Sequence, residues 1–468
     1  MRLPLCIDLD GCLVRTDLLY ESVLLLLRRN PLYVFLLPIW LLRGKAYLKR
    51  QVACRIEIAP GLLPYDGRVL DLARSSGASL VLCTASDARL ARAVADHLGL
   101  FDDVLASDGI TNLGGRAKAA VLVERFGERG FDYIGNHRSD LHVWSHARRA
   151  WVVNAPASLA GATSRVAELA GHWPVPDSRA KAWFDALRLH QWLKNLLVLV
   201  PLVAAHLFFD MGAVARSLLA FLAFGLCASG VYLVNDLLDL DSDRSHPRKR
   251  RRAFASGRLS ILDGMLVAPL LSLAGLLLAL HVMPMFAGVL LFYWTVTQAY
   301  SLWLKRVEML DVTILAGLYT LRILGGAVAL GVPLSFWLLA FSMFIFLSLA
   351  ILKRFIELAA LASDGRQQAA GRGYVISDLP LLQSLGTASG YIAVLVLALY
   401  INSPDSLELY TRPQVLWLLC PLLLYWIGRA WVMAHRGRMH DDPVVFAASD
   451  PVSLLVASIC GLVVVFAI

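Results

Sequence analysis

Residues 235–258 read NDLLDLDSDRSHPRKRRRAFASGR and lie between two long apolar segments. The stretch holds four acids, seven Lys/Arg residues and an Asn. Ionisable groups at membrane depth are costly unless they serve a site or pair with one another. Asn235, Asp236, Asp239 and Asp243 follow the pattern N-D-x-x-D-x-x-x-D. On a helix, i/i+3/i+4 spacing gathers Asp236, Asp239 and Asp243 on one face. Carboxylates gathered in this way bind hard cations, and Mg²⁺ usually arrives shared with substrate phosphates. The Arg/Lys run that follows, with Lys249 and Arg250, supplies the anion side of such a site. The pattern points to a membrane enzyme that handles a diphosphate through Mg²⁺.

A second place with chemistry is PLCIDLDGCLV at 4–14. An apolar run ending in D-x-D-G suits a buried parallel strand that releases Asp8 and Asp10 at its carboxyl edge, where α/β sites form.

The elements that position these residues follow from composition. The chain has 468 residues, 58% hydrophobic and 17% charged, with a mean hydropathy of +0.63. A soluble average is about a quarter charged, so this is an integral membrane protein. The net charge of +9 belongs to Lys/Arg beside apolar segments, where they orient the chain and meet anionic lipid headgroups. No nucleic-acid partner is implied. Seven scattered cysteines without a C-x-x-C pair read as reduced thiols rather than a disulfide framework. No signal peptide is read, because the N-terminus enters a strand pattern directly.

From about residue 191 the sequence offers nine apolar segments of roughly spanning length, near 191–209, 214–234, 261–281, 285–303, 310–331, 335–352, 384–402, 414–433 and 451–468. The loops after segments two, four, six and eight carry fifteen Lys/Arg, including Arg366 and Arg372, and the others carry only Arg412. That bias places the even loops and the N-terminal domain in the cytoplasm. Around segments four to six lie Tyr300, Lys305, Asp311, Tyr319, Arg322, Lys353, Arg354 and Glu357. Lys353 or Arg354 alone could be an interfacial snorkelling cation. Asp311 and Arg322 should face the bundle interior. Arg188, Gln191, Trp192, Lys194 and Asn195 open the first segment, either as an interfacial anchor or as part of a site.

The motif NDLLDLDSDRSHPRKRR, nine spans and YSLWLK…D resemble the UbiA superfamily of intramembrane prenyltransferases. HQWLKN (190–195), ND-x-x-D-x-x-x-D-x-x-HP-x-KR (235–250), YS-x-x-LK (300–305) and KR-x-x-EL (353–358) resemble one branch, the decaprenyl-phosphate phosphoribosyltransferases. The resemblance covers about residues 185–468. It departs from the wider superfamily in lacking a second D-x-x-x-D, since Leu315 follows Asp311 at that spacing. That weakens a prenyl-diphosphate donor held by two acidic motifs and favours a different donor. Asp236, Asp239 and Asp243 would then hold Mg²⁺ at a leaving pyrophosphate, with Asn235, Lys249 and Arg250 nearby. Lys194, Asn195, Tyr300, Lys305, Asp311, Arg322, Lys353 and Arg354 would bind substrate. The substrates implied are a polyprenyl phosphate and either phosphoribosyl diphosphate or a prenyl diphosphate, met in the lipid bilayer.

Four motifs resemble the haloacid dehalogenase superfamily, mostly Mg²⁺-dependent phosphatases with an α/β Rossmann-like fold. Asp8 would be the nucleophile and Asp10 the general acid/base, with Cys12 where Thr is usual. Thr84 in SLVLCTASD (79–87) matches the second motif and Lys118 the third. FDYIGNHRSD (131–140) matches the fourth, with Asn136 where the first Asp belongs and Asp140 retained. Asp8, Asp10, Asn136 and Asp140 would be its metal set. The expected organisation is this domain over 1–155, a linker over 156–184 with a short helix, and an all-α polytopic domain of nine spans over 185–468. An insertion at about 19–60 stands where this superfamily places a cap. Its apolar 19–49 stretch reads as a helical hairpin on the membrane surface, or alternatively as a re-entrant one.

Together the two resemblances imply a bifunctional enzyme of cell-envelope glycolipid synthesis. It would transfer phosphoribosyl to polyprenyl phosphate and then remove the 5-phosphate. Two rivals stand beside this: an aromatic prenyltransferase making a quinone-type lipid, and a lipid-binding scaffold or transporter with dead sites. Chain length of the lipid and oligomeric state are not encoded legibly.

Overall fold

In this computed structural model, residues 3–175, 178–333, 335–363, 373–439 and 442–468 are described. Arg366 and Arg372 lie outside them. The apolar run before Asp8 forms β1 (Leu5–Ile7). After it come α1 (Leu18–Arg29), α2 (Leu36–Leu42), α3 (Lys45–Ala53), α4 (Gly67–Ser75), β2 (Leu80–Asp87), α5 (Ala88–Leu98), β3 (Asp103–Ser107), α6 (Gly115–Phe126) and β4 (Asp132–Gly135). They are followed by α7 (Leu141–Trp144), β5 (Arg149–Val153), α8 (Ala157–Thr163), β6 (Glu168–Trp173) and α9 (Arg179–Leu187). The strands form one parallel sheet in the order β3-β2-β1-β4-β5-β6. Side chains alternate across it, as a pleated strand requires. Leu5, Ile7, Leu80, Leu82 and Ile134 enter one core, and Cys6, Val81, Cys83 and Tyr133 the other. A parallel sheet buried on both faces reads as continuous apolar runs, which is why LCI and LVLC form its centre.

The chain leaves β1 to build β2 and β3 on one side, then returns to build β4 to β6 on the other. The carboxyl end of β1 is therefore a topological switch point, the usual ligand crevice of open α/β sheets. Residues 156–184, expected as a linker, hold α8, β6 and the start of α9. β6 pairs in parallel with β5, so this stretch completes the sheet.

Within the insertion, Asp17 caps α1 through the Leu19 N–H. The apolar helix Pro31–Leu42 is too short to cross a membrane. It buries Trp40 beneath the Arg55 guanidinium, 4.8 Å from the ring centroid. It exposes Leu32, Phe35 and Leu42, the last at 88%. A contiguous apolar face of this kind marks an interaction surface.

The remainder is helical. A 3₁₀ stretch Leu189–Leu199 leads into α10 (Val200–Ala204), α11 (Met211–Leu238), α12 (Leu240–Ser245), α13 (Ile261–Val282), α14 (Pro284–Leu302) and α15 (Leu310–Leu330). Then come α16 (Phe336–Ser363), α17 (Leu379–Ile401), α18 (Pro404–Leu409), α19 (Leu419–His435), α20 (Pro443–Ser449) and α21 (Pro451–Ala467). Among the described residues six helices are long and apolar enough to cross a membrane. There are seven if the pair α20 and α21, bent by 76°, is one span. The protein is an integral membrane protein. The expected segment 191–209 is the 3₁₀ stretch plus α10, interrupted by Pro201 at the start of α10 and by His206 at φ 55°. The one at 285–303 is the 19-residue α14.

The chain divides into two compact units, Met1–Leu187 with Tyr232–Pro269, and Arg188–Val231 with Leu270–Ile468. The acidic motif and its basic loop thus fold with the sheet domain, not with the helices assigned to them by sequence order. Arg244 and Glu21 form an ion pair whose side chains are 4% and 5% exposed. Arg258 reaches Asp185 at 3.1 Å, and Arg179 reaches Asp263 at 2.7 Å.

Asp66 binds the loops of the sheet domain together. Its fully buried carboxylate caps α4 through the Arg68 N–H. It also accepts from the Arg68 Nη2 at 2.7 Å, Asn154 Nδ2 at 3.1 Å and Arg15 Nε at 3.2 Å. Burial alone would raise its pKa, but these donors hold it at about 2. Asp66→Ala should cost about 1–3 kcal/mol, read as a lowered melting temperature in detergent. Because the folded pKa lies below the unfolded one, the Asp66 contribution is complete above the ordinary Asp value and fades as pH falls towards about 2. The difference between wild type and variant should therefore narrow in acid.

Candidate functional site

Asp8 leaves the carboxyl end of β1, and its Oδ1 lies 2.9 Å from Lys118 Nζ of α6. Lys118 also donates to the Tyr133 hydroxyl at 2.8 Å, which donates to Asp140 Oδ1 at 3.2 Å. Burial pushes Asp8 up to about 7, against the pull of Lys118. Burial would lower Lys118, but Asp8 and Asp140 hold it cationic. Asp10 accepts the Leu18 N–H at 2.8 Å and the Ser86 hydroxyl at 2.6 Å. Burial, helped by Asp17, raises Asp10 to about 6, the range suited to a group that gives and takes a proton near neutrality.

Asp8, Asp10 and Asn136 line one cleft. Gly11 makes this possible. It has φ +70°, and a Cβ there would lie 2.0 Å from Asn136 Nδ2. Two of the expected residues behave differently. Thr84 is fully buried, donates to Asp10 at 3.4 Å and accepts from the Ser86 N–H; Ser86 faces the cleft. Asp140 turns back on its own loop, accepting the Asn136 and His137 N–H groups at 3.1 and 2.9 Å. Lys49 of α3, not singled out from sequence, lines the cleft and donates to the Ala85 carbonyl and Asn112. The donor set Asp8, Asp10 and Asn136 is all hard oxygen, which suits Mg²⁺, although Asn136 lowers its charge.

In the acidic motif, Asp236 and Asp243 are buried, and Asp239 separates α11 from α12. Arg252 Nη1 bridges Asp236 Oδ1 at 3.1 Å and Asp243 Oδ2 at 2.7 Å. The charge of this acid pair is met by a guanidinium. Among the described residues no group of three or more His, Cys, Asp or Glu side chains is arranged to hold a metal. A divalent cation fits Asp236 and Asp243 only with Arg252 displaced. The Asn235 backbone carbonyl accepts the Asp239 N–H at 2.9 Å, while Lys249 and Arg250 are exposed.

The helical unit contains two polar clusters. Arg322, 5% exposed, donates to Asn195 Oδ1 at 2.9 Å, the Leu318 carbonyl at 2.7 Å and the Tyr293 hydroxyl at 2.8 Å. Beside it Lys194 and Lys353 both donate to Asp442 Oδ2, at 2.8 and 2.7 Å. Burial would raise Asp442, but the two lysines hold it well below the usual carboxylate range. Sequence reading missed Asp442; only the Asp-Pro pair at 442–443 hinted at a helix cap. In the second cluster Asp311 is fully buried between Arg354 and the Tyr374 hydroxyl. Arg354 also donates to Glu357 and to the Tyr300 hydroxyl. Lys305 is half-buried in the turn after α14. Asp442→Ala leaves two lysines unpaired in a partly buried place. It should cost about 3–5 kcal/mol, seen as a lower melting temperature. Lys353→Met should cost less, because Lys194 still pairs.

Comparison with known proteins supplies the family. Residues 197–457 match the UbiA prenyltransferase family. The chain is 38% identical over 469 residues to uncharacterized protein y4nM of Sinorhizobium fredii, covering 98% of this chain and 90% of that one. It is 36% identical over 187 residues to the decaprenyl-phosphate phosphoribosyltransferase of Mycolicibacterium smegmatis, covering 39% of this chain and 59% of that one. A solved UbiA homolog from Archaeoglobus fulgidus, bound to GPP and Mg²⁺, aligns at 15% identity with a TM-score of 0.46, covering 61% of this chain and 98% of that one. With more than half of its length matched and a relative aligned almost end to end, this chain belongs to the UbiA prenyltransferase family and is an enzyme.

Proposed function

We propose that the chain carries out two successive reactions at the cytoplasmic face of a bacterial plasma membrane. In the first, a polyprenyl phosphate takes the 5-phosphoribosyl group of phosphoribosyl diphosphate. In the second, a haloacid dehalogenase-like N-terminal domain removes the 5-phosphate. The observation that supports pairing the steps is that the acidic motif folds in one compact unit with the Asp8–Asp10 strand, and that the basic loop following the motif lines the Asp8–Asp10 cleft. The phosphoribosyl donor is supported by the likeness to the mycobacterial transferase. It is also supported by Asp311, which is committed to Arg354 and Tyr374 and is followed by Leu315 where a second acidic motif would place an Asp. Prenyl transfer to an aromatic acceptor, the alternative, calls for that second motif.

In the first step an oxygen of the lipid phosphate bonds to ribose C1 as the bond from C1 to pyrophosphate breaks. The attacking oxygen is already ionised, so no strong base is needed. In the second step Asp8 bonds to phosphorus and the bond to the ribose O5 breaks. Asp10 gives its proton to that oxygen, then takes one from the water that cleaves the aspartyl phosphate. Lys118 offsets the charge gathered at Asp8. A bound divalent cation would neutralise phosphate oxygens in either step.

Two variants test the pair of assignments by mass spectrometry of the lipid fraction. Asp8→Asn should still form the ribosylated lipid but leave its 5-phosphate in place, with dephosphorylation down at least about 10³-fold. Asp236→Asn should lose about 10²–10³-fold in lipid formation while still dephosphorylating lipid supplied ready-made. A fully dephosphorylated product from Asp8→Asn overturns the second assignment, and normal lipid formation by Asp236→Asn overturns the first.

A further inference from the structure

We propose that the basic loop 248–258 is a wall of the Asp8–Asp10 cleft and makes that site selective for phosphate monoesters carrying a second phosphate. The inference rests on the phosphohydrolase reading above and names its substrate class. A ribose 5-phosphate whose anomeric carbon bears a phosphodiester belongs to that class.

The cleft has a volume of about 1520 Å³. Small-molecule sites usually measure about 300–1,000 Å³, so this one exceeds what a simple sugar monophosphate needs. One part of its lining comes from the sheet domain, with Asp8, Asp10 and Ser86. Another comes from α3, with Lys45 and Lys49, and a third from the loop, with Arg250 and Arg251. Over the whole lining, seven Lys/Arg side chains meet three Asp. Arg15, Arg244 and Arg258 are spoken for by Asp66, Glu21 and Asp185. Lys45, Arg250 and Arg251 are exposed and pair with no carboxylate among the described residues. Lys118 already answers Asp8. The remaining cations thus exceed what one phosphate at Asp8 can use, and a cleft whose lining carries an excess of positive charge concentrates anions.

The loop is also held in place before any substrate arrives. Arg244 at its start is locked to Glu21. Arg258 at its end donates to Asp185 and, through Nη2, to the Arg251 carbonyl at 2.8 Å. Gly257, at φ +72°, approaches Arg15 so closely that a Cβ would lie 2.6 Å from the Arg15 Cβ. A guanidinium presented on such a fixed segment loses little entropy on binding phosphate.

The test uses the full-length chain in detergent, carrying Asp8→Asn to block turnover, and isothermal titration with two sugars that differ only in a second phosphate. Ribose 1,5-bisphosphate should bind at least about tenfold more tightly than ribose 5-phosphate, as one or two charge-assisted contacts imply. Lys45→Ala and Arg251→Ala, from two different walls, should each bring the ratio towards one, and Arg251→Lys should keep most of it. Equal affinities in the parent overturn the proposal. So does a ratio that ignores both substitutions, or one that responds to Arg251→Ala but not to Lys45→Ala, since binding would then lie outside this cleft. Phosphate release by the chain with Asp8 intact is scored separately. Its absence with both sugars sinks the phosphohydrolase reading, while the binding ratio still decides this one.

Discussion

The buried pair Glu21–Arg244 ties together two parts of the chain that are far apart in sequence. Its carboxylate comes from the insertion helix α1 and its guanidinium from α12, 223 residues later. Taking two charges out of water is expensive, and removing one partner leaves the other stranded. Arg244 lessens that cost by also donating to the Ala255 carbonyl at 3.1 Å. One interaction therefore fixes the insertion, the acidic motif and the turn of the basic loop in a single arrangement. The cleft, the bridging Arg252 and the approach of Gly257 to Arg15 all presuppose it.

The two sets of carboxylates meet their charge in different ways. Asp8 faces an amine held by Tyr133 and Asp140, a fixed counter-charge at a sheet edge. Asp236 and Asp243 share one side chain, Arg252, which is 31% exposed. A half-exposed counter-cation costs less to exchange for a metal than one that is buried, as Lys118 is at 3% exposure. Under the proposed function, that difference separates a nucleophile held beside a buried cation from a leaving-group site whose cation meets solvent.

Much of this was legible in the sequence. A short apolar run ending in D-x-D-G marks a buried parallel strand, and β1 is that strand. The long apolar segments gave α11, α13, α15, α16, α17 and α19. What sequence could not show depended on pairing at a distance. β6 has polar and exposed positions and no local period, and it is a strand because β5 offers it an edge. Residues 232–269 fold with the sheet domain, and their ion pairs run to Glu21, Asp185 and Arg179, far off in sequence. Asp442 carries no local sign that two lysines converge on it. Thr84 and Ser86, two apart on β2, share a face and both donate to Asp10, so nothing in the local pattern says that Ser86 is the one that lines the cleft. The 191–209 segment has the apolarity of a span, but Pro201 and the turn at His206 divide it.

The measurement that bears most directly on the central claim is a dual-label transfer. Phosphoribosyl diphosphate carrying tritium in the ribose and radiophosphorus in the 5-phosphate is given to the purified chain with Mg²⁺ and polyprenyl phosphate. Two successive reactions on one chain predict tritium in the lipid phase and radiophosphorus released to water as inorganic phosphate. Both labels remaining together in the lipid contradict the second reaction, and neither label entering the lipid contradicts the account as a whole.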